Sequence, residues 1–568
     1  VEKIWLKQYD KGIPATIDRN GIDTLVNLFD FALNNFANRP AFHSMGREIT
    51  FAELDRLSKS FAAYLQKDLH LKKGDRVAIM MPNLLQYPVA LCGCLRAGLT
   101  VVSVNPLYTA HELSQLLNDS KPTTIVILEN FCKTLQAALP GTTIENVIVT
   151  AIGDMLSFPK SAIVNSAVRH LKKMVPPWEI PGTIRFNGIL SRRSAGEFKE
   201  VQIDPNDVAF LQYTGGTTGL PKGAMLTHST VSATVIQIDT WFSTKVRVGQ
   251  ERAIVALPLY HVAAMVCQCL ANMKFGACSV LIVNPKDIRG FIKELKKQKF
   301  TLFGGVNTLY NALLNHPEIK TVDFSSLRFS FSGAMATQKI VADRWKQLTS
   351  CTLTEAYGLT ETSSIVSINP LDIDEFKGSI GLPVPSVDIE IRDESGKVVG
   401  INTPGELWVH GPQIMLGYLG RPEETAKVLD ERGFIATGDI ATIDELGFMR
   451  IVDRKKDMII VSGFNVFPNE IEDIISNHPG VLEVAAVGAP DEKSGEKVVL
   501  FVVKREATLT QEELTEFARR SLTGYKVPKE IIFTNELPKS NVGKILRREL
   551  RAKLLQNDGK RNTSVAIA

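Results

Sequence analysis

Short apolar runs alternate with amphipathic stretches through the first two-thirds of the chain. Arg76-Val-Ala-Ile-Met-Met81, Thr100-Val-Val-Ser-Val104 and Thr124-Ile-Val-Ile-Leu128 are rich in β-branched residues, and helix-spaced apolar positions fill 87–98 and 111–118 around them. Strand-sized runs separated by helical ones predict a multidomain α/β protein with layers built on largely parallel sheet. From about residue 380 the texture changes to alternating segments punctuated by Gly and Pro, such as Val387-Asp-Ile-Glu-Ile-Arg392 and Gly405-Glu-Leu-Trp-Val-His410. That alternation predicts an antiparallel β subdomain over about 380–452.

The polar run Asp453-Arg-Lys-Lys-Asp457 then precedes an α+β unit over 458–568 whose tail, 556–568, reads as frayed. A charge run is most often a solvated turn. Lying between two differently patterned regions, this one reads as a hinge between a large N-terminal domain, 1–452, and a small mobile C-terminal domain.

Two windows invite a membrane reading. Ala253 to Met273 carries no formal charge, but Pro258, His261, Gln268 and Asn272 interrupt it, and a buried strand, turn and helix explain it better than a span. No transmembrane helix is expected, nor does the first stretch of the chain hold an apolar core of signal-peptide length. In 160–175, Ile163, Val164, Ala167, Val168, Leu171 and Met174 fall on one helical face, with Lys160, Arg169, Lys172 and Lys173 largely opposite. A basic amphipathic helix of this kind can lie in an anionic membrane surface. The plainer reading is a surface helix packed on the core, and both stay open.

Composition narrows the class. The 568 residues exceed one ordinary core, and 44% hydrophobic with 22% charged residues suits a folded enzyme. A net charge of +4 gives no basic face for nucleic acid. Seven cysteines, among them Cys92, Cys94, Cys267 and Cys269 in apolar stretches, read as buried thiols in a reducing compartment.

The chemistry starts at Tyr213-Thr214-Gly215-Gly216-Thr217-Thr218-Gly219-Leu220-Pro221-Lys222-Gly223, followed by Ala224. Four glycines, three threonines and a lysine after the apolar run Val208–Leu211 can present bare N–H groups, hydroxyls and a point charge to a polyphosphate, with a helix expected from Thr227 onward. A plain turn needs fewer glycines and no Thr-Thr pair. The spacing of the usual NTPase P-loop is not met anywhere, since at Gly543-Lys544 the next residue is Ile545 instead of Ser or Thr.

Pro258-Leu-Tyr-His261, Glu355-Ala356-Tyr357-Gly358-Leu-Thr360-Glu361, Thr437-Gly-Asp439, Asp453-Arg454-Lys-Lys456 and Pro538-Lys-Ser-Asn-Val-Gly-Lys544 are each weak alone. In this order after the phosphate loop they resemble the AMP-forming acyl- and aryl-CoA synthetases, from about residue 25 to 552. Met81-Pro-Asn-Leu-Leu-Gln-Tyr-Pro-Val-Ala90, Gly305-Val-Asn-Thr-Leu309 and Lys455-Lys-Asp-Met-Ile-Ile-Val-Ser-Gly-Phe-Asn465 look like the bacterial long-chain fatty acid–CoA ligases in particular.

The resemblance implies an adenylate-forming fold and a two-step reaction of fatty acid, ATP and CoA. Tyr213 to Ala224 would cradle the β- and γ-phosphates, Thr214 and Glu361 would hold Mg²⁺, and Thr360 would bond the α-phosphate. Ser332-Gly333-Ala334 and Glu355 to Gly358 would line the adenine pocket, with Tyr357 on the ring, while Asp439 and Arg454 would take the ribose. Lys544 would bridge the carboxylate and α-phosphate from a domain that rotates about Lys456, exchanging its loop for Ser462-Gly463-Phe464 along the CoA tunnel. His261 would gate the acyl and CoA channels, although a lone histidine beside Pro258 is also an ordinary core residue. Gly304, Gly305 and Val306 would line the acyl pocket.

Other readings stay beside this one: a medium-chain or aryl acid–CoA ligase, a fatty acid–AMP ligase that stops after adenylation, and a silent membrane-associated fatty-acid carrier. The expected setting is the cytoplasm, with contact at the inner face of the membrane and a homodimer left open.

Overall fold

The computed structural model describes residues 3–214, 221–462, 464–491, 493–540 and 543–554. Two large sheets form its frame. One orders eight strands as Gly417–Tyr418, Lys222–Thr227, Val208–Thr214, Thr100–Ser103, Arg76–Met80, Thr124–Leu128, Asn146–Thr150 and Ile184–Arg185. From Val208–Thr214 outward the pairing is parallel, as the apolar runs predict. The second sheet has nine strands and runs parallel from Leu353–Tyr357 through Phe329–Ser332, Leu302–Gly305, Arg252–Val255 and Cys278–Leu281 to Pro40–Ser44.

The helix Gln86–Arg96 ties the two sheets together. All its residues are buried, which a helix apolar on every side requires. Just ahead of it, the Asn83 amide donates to the carbonyls of Val255 and Leu257 at 3.1 and 2.9 Å, and Tyr87 Oη donates to the Leu259 carbonyl at 2.7 Å. Arg96, at its end, is buried but paired with Asp55 at 2.6 Å. Under the second sheet an aromatic cluster sets the strand ends: Trp345 lies 4.7 Å from Tyr310 and 5.5 Å from Phe303 between ring centres. Tyr310 Oη reaches the carbonyls of Phe303 and Phe331 at 2.9 and 2.8 Å, fixing two neighbouring strands just before their C-terminal ends. Truncating such a ring costs about 3–5 kcal/mol.

The antiparallel subdomain is present as Asp388–Arg392, Gly405–His410, Ile435–Ile443 and Met449–Arg454. Beyond it, a five-stranded sheet with a long hairpin, Val481–Asp491 and Gly495–Lys504, carries the C-terminal unit and its own core. The 253–273 window becomes the strand Arg252–Val255, a turn and helical turns over 262–275. Among the described residues no helix is long and apolar enough to cross a membrane. The described cysteines are all free, six of them buried.

The helix expected from Thr227 onward is His228–Phe242, with Thr227 as its N-cap. Ahead of it lies a strand pair without a clear pattern in the sequence: Val208–Thr214 and Lys222–Thr227 run antiparallel, with Tyr213 opposite Gly223 and Thr214 opposite Lys222. The 160–175 segment is a helix, Lys160–Ser166, that widens to a π turn over Ala167–Leu171; on its apolar face Val168 is buried and Val164 and Ala167 are half-buried, while the rest points out. Ile163, Leu171 and Met174 are 63, 81 and 50% exposed. Arg169 turns inward to the buried Glu129 in a two-bond pair at 2.9 and 2.8 Å, so a charged pair and Val168 hold the segment while Ile163, Leu171 and Met174 stay outside.

Candidate active site

The C-terminal ends of parallel strands are where α/β sheets place ligands. Four neighbouring strands of the nine-stranded sheet end in candidate residues: Gly304 and Gly305, Ser332, Glu355 to Tyr357, and the turn from Val255 that leads to His261. The strand ends are shaped for close approach. Ala334 adopts φ +64°, a left-handed conformation uncommon for a residue with a Cβ. A Cβ on Gly358 would lie 1.4 Å from the Ser364 carbonyl oxygen, so only glycine fits there. Thr360 and Glu361 follow in a single 3₁₀ turn, Thr360–Thr362.

The antiparallel subdomain closes one side of this edge. Asp439 and Arg454 stand opposite each other in its last strand pair, with Arg454 Nε 3.2 Å from Asp439 Oδ1. Tyr357 Oη, reaching over from the large sheet, donates to Asp439 Oδ2 at 2.6 Å. Burial and the neighbouring carboxylate both hold the Tyr357 phenol well above its ordinary pKa, so it stays a donor.

Glu355 is buried beside Ser332: it accepts from the Thr337 N–H at 3.4 Å, while Thr337 Oγ1 donates to Ser332 Oγ at 2.7 Å. Burial pushes the Glu355 carboxyl up to about 8, leaving it protonated at neutral pH, and its Oε2 has no partner among the described residues.

The phosphate-loop candidates fall into two groups. Gly215, Gly216, Thr217, Thr218, Gly219 and Leu220 lie outside the described residues, as does Gly463. The hairpin legs are described. Tyr213 directs its phenol to Asp119 at 2.7 Å, where Arg421 also pairs at 3.0 Å, so the leg it offers to the loop is main chain. Lys222 pairs with Glu424 and lies 5.2 Å above the Tyr418 ring, and the Gly223 carbonyl accepts from Leu419 N–H at 2.9 Å. Next to Ala224 runs Gly417–Tyr418, and Tyr418 Oη donates to Glu361 Oε1 at 2.8 Å. One phenol therefore connects the hairpin to the Glu361 carboxylate. Tyr418 carries no sequence signal of its own, since its strand is two residues long.

Lys544 arrives from the C-terminal unit. Desolvation, with the charge of Arg454 and then of Lys456 and Arg547 acting against Asp439, pushes its pKa down to about 7. His261 feels the same lysine, and burial followed by that charge brings its pKa down to about 4, so its imidazole is neutral. The turn bearing Lys544 touches the large domain directly, Thr308 Oγ1 donating to the Gly543 carbonyl at 3.3 Å. By contrast Ser462 and Phe464 are exposed, Phe464 at 55%, and Phe464 stacks on Tyr525 of the same unit, ring centres 4.7 Å apart. Lys456 lies in the connecting turn, its carbonyl accepting from Arg551 at 3.3 Å.

Gly304 and Gly305 end the strand Leu302–Gly305, and Val306 is the N-cap of the helix Asn307–Leu314. A Cβ on Gly304 would stand 2.2 Å from Gln268 Nε2, so Gln268 packs against this strand end. A cavity of about 740 Å³ lies elsewhere, among His43, Glu48, Lys160, Arg252 and Glu294, and its mixed charges take no part in this constellation.

This chain matches the AMP-binding enzyme family over residues 29–419 and the AMP-binding enzyme C-terminal domain over 470–544. It is 52% identical over 551 residues to a long-chain-fatty-acid–CoA ligase of Escherichia coli O157:H7, covering 97% of this chain and 98% of that protein. The Haemophilus influenzae long-chain-fatty-acid–CoA ligase is 49% identical over 554 residues, again 97 and 98% covered. Among solved structures, ATP-bound MatB from Rhodopseudomonas palustris superposes with a TM-score of 0.80 at 27% identity, over 93% of this chain and 99% of that one.

Proposed function

The chain belongs to the AMP-binding enzyme family, and from that premise we propose that it is a long-chain fatty acid–CoA ligase. ATP and a fatty acid give an acyl adenylate and pyrophosphate; the CoA thiol then displaces AMP to give the thioester. The observation that carries this reading is the near full-length likeness to long-chain ligases.

A carboxylate attacking the α-phosphate brings two anions together, so the site must neutralise charge and hold an in-line geometry. Lys544 supplies the mobile cation, spanning the carboxylate and α-phosphate oxygens. Asp439 accepts from both ribose hydroxyls, which a carboxylate with two oxygens can do while Tyr357 and Arg454 orient it. Tyr357 also covers the adenine, and Glu355 with Ser332 and the turn through Ala334 closes the pocket behind it. Thr360 bonds the α-phosphate, and residues 213–224 steady the departing pyrophosphate.

The donor chemistry at Glu361 and Thr214 fits Mg²⁺: one carboxylate and one hydroxyl are hard oxygens, and among the described residues no cluster of three or more His, Cys, Asp or Glu could cage a metal alone. Such a site takes magnesium together with substrate phosphates, where the ion would neutralise phosphate charge. Tyr418 orients the Glu361 carboxylate for that task.

The second half-reaction needs Lys544 out of the way. Rotation about Lys456 withdraws the lysine turn and brings the exposed Ser462 and Phe464 to the pantetheine path. Neutral His261 then serves as the gate between acyl and CoA channels. Gly304, Gly305 and Val306 leave room for the acyl chain.

A chain-length series of AMP release, with and without CoA, tests the reading. Long acids should give AMP and thioester in equal amounts. A preference for short or aromatic acids would move the protein to a medium-chain or aryl ligase, adenylate without thioester to an AMP ligase, and no turnover with any acid to a carrier.

A second observation favours peripheral contact with an anionic membrane of the cytoplasm. Phe158, 86% exposed, joins Ile163, Leu171 and Met174 outside the fold, beside the exposed Lys172 and Lys173. Vesicle co-sedimentation should weaken when Ile163, Leu171 and Met174 become serine, and unchanged binding would refute this contact.

A further inference from the structure

The turn that carries Lys544 is closed on itself. Gly543 N–H donates to the Ser540 carbonyl at 2.9 Å, Ser540 N–H to the Lys544 carbonyl at 2.7 Å, and Lys544 N–H to Ser540 Oγ at 3.1 Å. Lys539 and Ile545 bridge at its base. These bonds hold Ser540, Gly543 and Lys544 relative to one another and do not set their position relative to the large domain. Position needs a contact from outside. Among the described residues, the one hydrogen bond from this turn to the large domain is that of Thr308 Oγ1 to the Gly543 carbonyl, 3.3 Å across 235 positions of sequence.

Thr308 is well placed to set that position. It is the second residue of the helix Asn307–Leu314, which begins directly after the acyl-pocket residues Gly304, Gly305 and Val306. Its neighbour Asn307 is locked to Gln338, accepting from the Gln338 N–H at 3.0 Å and donating to Gln338 Oε1 at 3.3 Å. The helix start is therefore a rigid shelf. The fit is close: Gly543 has φ +79°, and a Cβ there would stand 2.3 Å from Thr308 Oγ1 and 3.4 Å from Val306 Cγ2. Glycine at 543 lets the carbonyl before Lys544 come down onto the threonine hydroxyl.

We propose that Thr308 is a positioning residue which latches the Lys544 turn onto the large domain for adenylation and releases it for thioester formation. The inference rests on the two-step ligase reading above. At 3.3 Å this hydroxyl-to-carbonyl bond is longer than usual and therefore weak, which suits a contact that forms and breaks in every cycle. It sits one residue from the lysine whose ammonium must find the α-phosphate, where a displacement of about 1 Å can cost on the order of a hundredfold in rate. Its effect should be confined to the step in which Lys544 is in the cleft.

The test compares Thr308→Val, which keeps the shape and removes the donor, with Thr308→Ser, which keeps the donor. Wild type is first assayed for both half-reactions: pyrophosphate release from ATP and palmitate, and thioester formation from palmitoyl adenylate with CoA. Wild type inactive in the first assay would defeat the ligase reading itself, separately from the latch. With wild type active, Thr308→Val should slow pyrophosphate release about tenfold, the loss of one hydrogen bond, and leave thioester formation unchanged. Thr308→Ser should restore most of the rate. Equal loss in both half-reactions, no loss in the first, or a serine variant no better than valine would each overturn the latch.

Discussion

The two halves of the cleft are built to different standards of rigidity. On the large domain, Asp439, Tyr357, Arg454, Glu361 and Tyr418 are set by strand register and short hydrogen bonds: Tyr357 to Asp439 at 2.6 Å, Tyr418 to Glu361 at 2.8 Å. Lys544 comes on a turn whose shape is internal and whose contact with the large domain is a single 3.3 Å bond among the described residues. The fixed half suits groups needed throughout, such as nucleotide anchors. The movable half suits a group needed for one step only. Rigidity thus tracks how long each residue serves in the cycle.

The sharpest way to break that contrast is to remove one residue from each half. Lys544→Ala should lower acyl-adenylate formation by about a thousandfold, the scale of losing a preorganised charge at the reacting centre, and spare thioester formation from supplied acyl adenylate. Single-turnover assays of each half-reaction would show it, and equal losses would mean that Lys544 is not confined to one step. Asp439→Ala should behave oppositely. It removes the ribose acceptor and leaves the Tyr357 hydroxyl and the Arg454 guanidinium without their partner, for about a hundredfold weaker nucleotide binding. That loss should appear in both half-reactions, as a raised KM for ATP in the first and weaker binding of acyl adenylate in the second.

The same contrast governs what the sequence made legible. Parallel layers, the antiparallel subdomain and the C-terminal unit follow from periodicity, because burial on two faces, one face or a stripe leaves distinct patterns. Asp439, Lys544 and Glu361 stand out through motif order. The hairpin under the phosphate loop was harder to see, since Lys222–Thr227 lies between a loop and a helix and its partner Gly417–Tyr418 is nearly 200 residues away. Tyr418, Asp119, Gln268 and Thr308 enter only through such tertiary pairings. The 160–175 segment stayed open for a physical reason: periodicity reveals an apolar face but not its direction, and the Glu129 that draws Arg169 inward is 40 residues away.

A pH profile probes the movable half with a smaller effect. On the proposed reading adenylation needs Lys544 as an ammonium, and in the free enzyme its pKa is pushed down to about 7 by desolvation and nearby cations. The charged form is therefore present below about 7 and lost as pH rises through it, so kcat/KM for adenylation should fall about tenfold per unit above that point. Bound ATP brings negative charge that favours the ammonium, so kcat should hold to higher pH than kcat/KM. Lys544→Arg should remove the decline, since a guanidinium stays charged. Thioester formation, with the lysine withdrawn, should show no such decline; if it does, the withdrawn state is wrong.

The smallest expected effect tests the fixed half at its join. Tyr418 links the hairpin leg at Ala224 to Glu361, and burial next to that carboxylate holds its phenol well above the ordinary value, so it donates at every working pH. Tyr418→Phe removes one hydrogen bond to a charged oxygen while keeping the ring beneath Lys222, for a cost of about 1.5–3 kcal/mol if Glu361 cannot find another partner. Magnesium, where bound, would offer such a partner, so the loss should shrink as its concentration rises. The measurement is the magnesium dependence of pyrophosphate release: a right-shifted curve reaching nearly the wild-type plateau supports a Glu361 held ready for the ion. An unshifted curve with a lower plateau would instead make Tyr418 a prop for the hairpin, and the join between the two motifs would be structural.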